Sequence, residues 1–119
     1  MSFIKYADTS RADLVRLYVF LAQYDESVAA KAIDTIIKGI DYIGEHPSSG
    51  TPISDRQHVR KSVIDFGATG YLVFHKRYEK SDTNFVARII HQKEWYDEAV
   101  IGLVEEKAED VKTQGMIEP

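Results

Sequence analysis

The 119-residue chain contains no cysteine and has no apolar run that approaches the roughly 18 residues of a membrane-spanning helix. The missing cysteines exclude disulfides, thiol catalysis and cysteine-ligated zinc. The first residues, 1–5, lack the apolar stretch of a signal peptide, so we expect a cytoplasmic protein with no membrane partner. What is present, 44% hydrophobic and 29% charged residues, is typical of one globular domain.

The chain also lacks a positive net charge, because its formal charge at pH 7 is −4. A negative total opposes binding to a polyanion. Residues 1–55 carry −3, residues 56–93 carry +5 and residues 94–119 carry −6. Three of the four histidines lie in the basic middle segment: His58, His75 and His91. This segment is compatible with an anionic partner and equally with the ordinary surface charge of strands and loops.

Two helices are predicted in the first half of the chain. Ser10 and Asp13 are placed to cap the first helix, whose apolar stripe is Leu14, Leu17, Tyr18 and Leu21. The segment 25–27 supplies the caps of the second helix, which ends near Pro47. Its stripe is the clearest periodicity in the sequence: Ala29, Ala32, Ile33, Ile36, Ile37, Ile40 and Ile43. The short gap between the helices predicts an antiparallel helical hairpin.

Strand patterns surround this hairpin. Residues 2–6 form a weak strand pattern, and three stretches rich in Val, Ile, Phe and Tyr follow at 59–66, 71–79 and 85–92. Because the last three are joined by short turns, we expect an antiparallel meander. The sequence therefore predicts an α+β fold of order β-α-α-β-β-β, with the hairpin packed on one face of a small antiparallel sheet and the other face partly open. We also expect a C-terminal helix after residue 95.

A possible site lies on the predicted sheet. Strict alternation places Phe85, Ala87, Ile89 and His91 on one face of the last strand. Arg88 lies on the other face of this strand. Arg60 and Arg88, on adjoining short strands, can still point into one concave patch with His91 at its edge. Arginine and histidine together suit phosphate chemistry. Each residue taken alone is more often a surface or hydrogen-bonded residue.

Other signals of chemistry are weak. His75 and His91 lack a third ligand at recognisable spacing, so no metal site is predicted, and no cofactor motif is present. Tyr71 and Trp95 can stack on bases, although such aromatics more often cover a core. No glycine-rich phosphate loop, Ser-His-Asp arrangement or pair of catalytic carboxylates stands out.

The order of several short motifs is similar to that of a known family. The motifs are Ala12-Asp13-Leu14, the Ala29 to Ile43 stripe, Pro47 with Gly50-Thr51-Pro52, Val59-Arg60-Lys61, Gly70-Tyr71 with Val73-Phe74, and Arg88-Ile89-Ile90-His91-Gln92-Lys93-Glu94. The chain resembles the RelE/ParE superfamily, the toxins of type II toxin–antitoxin and plasmid-stabilisation modules. The resemblance covers residues 1–95 as a toxin domain, and the β-α-α-β-β-β order is also the fold of that superfamily. Residues 96–119 are expected to form an additional acidic helix and tail.

The resemblance implies an intracellular poison that arrests growth unless a cognate antitoxin binds it as a hetero-oligomer. RelE-like members cut messenger RNA on the ribosome, whereas ParE-like members poison DNA gyrase without nuclease chemistry of their own. We favour the ParE-like branch, because the chain is acidic, its hairpin is long, and Leu72 stands where many nuclease members have arginine.

Two alternatives stay open. In a RelE-like endoribonuclease the catalytic residues would be Arg60, Arg88 and His91. In a non-toxic binding module the fold would only scaffold a partner. The residues expected to bind a partner or target are Arg60, Lys61, Tyr71, Arg88 and Trp95.

Overall fold

The computed structural model describes residues 3–53 and 58–94. Within them, two helices and five strands follow one another along the chain. They are β1 (Phe3–Tyr6), α1 (Asp8–Ala22), α2 (Glu26–Glu45), β2 (Thr51–Pro52), β3 (Val59–Phe66), β4 (Thr69–Tyr78) and β5 (Thr83–His91). This is the α+β fold predicted from the sequence, with a short additional strand, β2. The C-terminal helix, the acidic tail and Trp95 lie outside the described residues.

The sheet is mixed, so the prediction of an antiparallel sheet is wrong for one strand. Its order is β1-β5-β4-β3-β2, and β1 runs parallel to β5 while the other neighbours are antiparallel. The reason is the helical hairpin. The hairpin carries the chain back to the end of the sheet at which β1 begins. β1 pairs with β5, the last described strand, and not with β2 or β3, which follow it in the sequence. Phe3 consequently lies beside Thr83.

The helices pack on one face of the sheet, called here the helical face. Its core joins Leu17 of α1, Ile36 and Ile40 of α2, and Val73 and Ile89 of the central strands. α2 begins as predicted, because the Asp25 carboxylate accepts from the backbone amides of Ser27 and Val28. α1 does not: its N-cap is Ala7, without a side-chain cap. Ser10 and Asp13 are instead buried. The Asp13 carboxylate binds Arg88 and the backbone amide of Ile89 at the edge of the sheet.

The opposite face of the sheet, called here the far face, is buried as well, which corrects the expectation of a partly open face. Leu72, Phe74, Phe85 and Ile90 belong to a second apolar cluster on it. β4 reads Tyr71-Leu72-Val73-Phe74, an unbroken apolar run, and such runs are typical of strands buried on both faces. The side chain of Leu72 therefore lies in a buried apolar cluster.

A β-bulge shifts the side chains of β5. Phe74 pairs with Arg88 and His75 pairs with Val86, which leaves Ala87 without a partner on β4. As a result Phe85 and Ala87 lie in the far-face cluster, whereas Ile89 lies in the helical-face core. The predicted common face for Phe85, Ala87, Ile89 and His91 is therefore wrong.

Candidate functional site

A cavity of about 410 Å³ lies between α1 and the ends of β4 and β5. Apolar side chains form most of its wall, and polar side chains stand at its rim. The wall is Leu17, Phe20, Leu21, Phe66 and Tyr71, and the rim is Arg16, Thr69, His91, Lys93 and Glu94. A mostly apolar cavity with a few convergent polar groups is the usual form of a binding site. We call it the hairpin cavity.

His91 stands at the rim with both ring nitrogens engaged. Its Nδ1 accepts from the backbone amide of Lys93 at 3.1 Å. The proton is then assigned to Nε2, which lies 2.8 Å from Thr69 Oγ1 and donates to it. The ring also meets Tyr71 edge-on, with centroids 5.4 Å apart. His91 is thus held in place by hydrogen bonds at both ring nitrogens.

Glu94 ties the end of β5 to α1. Its Oε1 accepts from the backbone amide of His91 at 2.7 Å, and its Oε2 lies 2.6 Å from Arg16 Nη1. Burial acts to lower the pKa of Arg16, but the hydrogen bonds and charges of Glu94 and Asp13 outweigh it and raise that pKa. The pKa of Tyr71 is raised by burial and by the charge of Glu94. The cavity therefore keeps a neutral phenol beneath a rim ion pair.

Arg88 lies away from this cavity rim. Its Nε donates to Asp13 Oδ2 at 2.8 Å, and Asp13 is 4% exposed. The same carboxylate oxygen accepts from the backbone amide of Ile89 at 2.8 Å. Arg88 therefore fastens β5 to α1 rather than projecting into an open patch.

Arg60 lies at the opposite end of the sheet, where it holds the loop before β2. Its Nε donates to the carbonyl of Ser49 and its Nη2 to the carbonyl of Gly50, both at 2.8 Å. Gly50 has a φ of 84°, and an added Cβ would lie 2.5 Å from the carbonyl oxygen of Lys61. Only glycine is therefore tolerated where this loop turns against β3.

The structure does not bring Arg60, Arg88 and His91 together. Arg60 is opposite His75 on β4, whereas His91 is opposite Tyr71 near the other end of that strand. Of the five residues expected to bind a partner, Tyr71 contributes to the hairpin cavity but is 2% exposed, which prevents base stacking. Lys61 is half-buried on β3, and Trp95 lies outside the described residues.

The sequence analysis did not identify Arg16, Phe20 or Glu94 as site residues. Arg16 and Phe20 lie outside the stripe that buries α1, and their separation from Glu94 in the sequence gave no sign of contact. The spacing of His91 and Glu94 was the one signal in the sequence. A carboxylate three residues after a given position can accept a hydrogen bond from the backbone amide of that position.

Across residues 3–53 and 58–94, no three His, Asp or Glu side chains are grouped to hold a metal ion. In the same part of the chain, neither helix has the length and apolar character needed to cross a membrane.

Comparison with known proteins identifies the family. Residues 4–96 match the family described as the ParE toxin of the type II toxin–antitoxin system, parDE. The chain belongs to this family. A curated relative, Toxin RelE3 of Caulobacter vibrioides, is 31% identical over 94 residues, which are 79% of this chain and 98% of the relative.

Solved structures show the same fold. A protein of the chromosomal ParDE system of P. aeruginosa superposes with a TM-score of 0.61 at 18% identity, covering 76% of this chain and 96% of that one. A chain of the RelBE2 toxin–antitoxin complex of Mycobacterium tuberculosis superposes with a TM-score of 0.52 at 16% identity, covering 76% and 98%. In this member of the ParE family, that fold surrounds a largely apolar cavity.

Proposed function

We propose that this ParE-family toxin is neutralised by a cognate antitoxin and that, when free, it acts on DNA gyrase. The hairpin cavity is the observation that best supports this proposal. Its wall of Leu, Phe and Tyr side chains is suited to an apolar anchor residue from a protein, and such anchors dominate the energy of protein interfaces. A phosphate that entered as far as this wall would meet little to hydrogen-bond.

The positions of the basic residues also favour a protein target. Arg88 is paired with Asp13, and Arg60 donates to two loop carbonyls. A ribosome-directed nuclease needs several cations that contact the same phosphate and a side chain that is free to donate or accept a proton. His91 is hydrogen-bonded through both nitrogens, and the net charge is −4.

The decisive experiment incubates the purified chain with DNA gyrase and supercoiled plasmid, then denatures the protein and measures linear DNA. We expect linear DNA that depends on the toxin and disappears when the antitoxin is added. In cells, expression without the antitoxin should arrest growth and break DNA, while messenger RNA remains intact.

A second candidate function is RelE-like cleavage of messenger RNA. The placement of His91 beside Lys93 at the rim of a cavity favours it, since it puts a titratable group next to a cation. Cleaved transcripts on translating ribosomes, abolished in a His91→Ala variant, would establish this function in place of gyrase poisoning. Normal growth after expression without an antitoxin would instead identify a non-toxic binding module.

A further inference from the structure

A second pocket, of about 620 Å³, opens at the end of the sheet farthest from the hairpin cavity. It lies between the loop that precedes β2 and the ends of β3 and β4. Its principal lining residues are Ser48, Pro52, His58, Arg60, Arg77 and Glu79. We call it the arginine pocket. Arg60 and Arg77 lie on adjacent strands and share the helical face with His75.

Among the described residues, no carboxylate forms an ion pair with Arg60. Its Nε and Nη2 donate to neutral carbonyls, and within the described ranges no carboxylate oxygen lies within 4.0 Å of its nitrogens. Nη1 is left without a described partner. The charge of Arg60 also acts on the neighbouring His75. The pKa of His75 falls to about 4, first through burial and further through repulsion by Arg60.

Arg77 adds a second donor that is not satisfied. Its Nη2 pairs with Asp82, but its Nη1 is buried with no hydrogen-bond partner. An unsatisfied buried donor costs about 1–3 kcal/mol, and more in a charged group. Nη1 itself is closed to solvent, so an acceptor in the pocket removes this penalty only when the Arg77 side chain turns toward it.

We propose that the arginine pocket binds one carboxylate of the antitoxin, at Arg60 and Arg77. Guanidinium groups hold carboxylates through short, paired hydrogen bonds. The inference rests on the proposed function, since it takes the antitoxin as the partner.

The charges in the pocket select a single carboxylate over a nucleic acid. The Asp82 carboxylate offsets Arg77, and exposed Glu79 adds a negative charge to the lining. The charges of Arg60, Arg77, Asp82 and Glu79 then sum to zero, so a carboxylate is held by the hydrogen bonds of the two guanidinium groups and not by an excess of positive charge. A polyanion gains affinity by contacting many cations at once, and the described lining of this pocket offers no such row of cations.

The test measures the affinity of the antitoxin encoded beside the toxin gene for the full-length toxin and two variants. Arg77→Gln should weaken binding roughly tenfold, because a charge-assisted hydrogen bond is lost. Glu79→Gln should strengthen binding several-fold, because a repulsive charge is removed, and as an exposed side chain it carries no risk to folding. Both effects should shrink as salt is raised.

Two variants serve as matched controls. Lys38→Gln and Glu26→Gln make the same changes of net charge on α2, away from the pocket, and should leave the affinity unchanged. Unchanged affinity in Arg77→Gln or in Glu79→Gln overturns the inference. So does an Arg77→Gln variant that loses affinity for a single-stranded oligonucleotide but not for the antitoxin. Failure of the wild-type toxin to bind any antitoxin would overturn the proposed function instead.

Discussion

Asp13 and Arg88 form an ion pair that joins α1 to the outer edge of β5, with 2.8 Å between Oδ2 and Nε. β1 covers only the first half of that edge. Beyond it, Asp13 accepts from the amide of Ile89, and Thr9 donates to the carbonyl of Ala87 at 2.8 Å. Along this part of the edge, one side of α1 therefore takes the place of a neighbouring strand, because its side chains hydrogen-bond the backbone groups of β5.

Replacing Asp13 by alanine should destabilise the protein by about 3–5 kcal/mol, because Arg88 loses its charge partner and the amide of Ile89 loses its acceptor. The free energy of unfolding in urea measures the loss. As a control, Asp34→Ala removes a carboxylate that pairs with Lys38 on the exposed side of α2 and should cost less than about 1 kcal/mol. Similar losses in the two variants would contradict a structural role for the Asp13–Arg88 pair.

His75 should make stability depend on pH. It is 1% exposed, lies 2.8 Å from Ser62 Oγ and has a pKa of about 4 against an ordinary 6.5. The unfolded chain therefore binds a proton more readily, so stability is complete above pH 6.5 and is lost as the pH falls toward 4. Urea unfolding at pH 7.5 and pH 5 should differ by about 2 kcal/mol from this group.

His75→Gln should flatten this dependence, because the amide can still hydrogen-bond Ser62 and does not titrate. His46→Gln, at the exposed end of α2, should retain it. If His75→Gln keeps the wild-type slope between pH 5 and pH 7.5, another group is responsible.

Gly39→Ala should destabilise the protein, although alanine normally favours a helix by about 1 kcal/mol. An added Cβ would lie 2.5 Å from Ile64 Cδ1 and 2.7 Å from Cγ1, and such overpacking costs about 1–3 kcal/mol. Thermal and urea unfolding measure the change. Ile64→Val should recover part of the loss in the Gly39→Ala background, and strictly additive effects would show that this contact is not the cause.

Phe20→Ser should reduce affinity for the target or antitoxin at least tenfold, with little change in stability. The side chain lines the hairpin cavity yet is 57% exposed, so its apolar surface is available to a partner. Val19→Ser, 61% exposed on the same helix but outside the cavity lining, is the matched control. Equal effects of the two substitutions on growth arrest and affinity would argue against the cavity as the contact site.

The sequence predicted most accurately the elements that follow from local pattern. The isoleucine stripe placed α2, and the run from Val59 to Phe66 matched β3 residue for residue. Asp25 was placed correctly because a cap acts within its own turn. These features depend on residues that are close together in the sequence. Such local relationships are visible as periodic apolar residues and as cap or turn residues.

What the sequence could not predict depends on distant contacts. Nothing near Asp13 indicates that it will bind Arg88 instead of capping α1. The bulge at Ala87 reverses the alternation of β5, so face assignments made from strict alternation failed there. The candidate site was misjudged for the same reason, since the partners of Arg60 and Arg88 come from other parts of the chain.

The parallel pairing of β1 with β5 has a consequence for synthesis. Phe3 and Lys5 lie beside Thr83 and Phe85, so the strand translated first cannot join the sheet until the last strand has been made. Pairing between residues so distant in the sequence slows folding, because a long loop must close first. Each newly made chain therefore spends its translation without a complete sheet, and the assembled fold exists only after β5 has emerged.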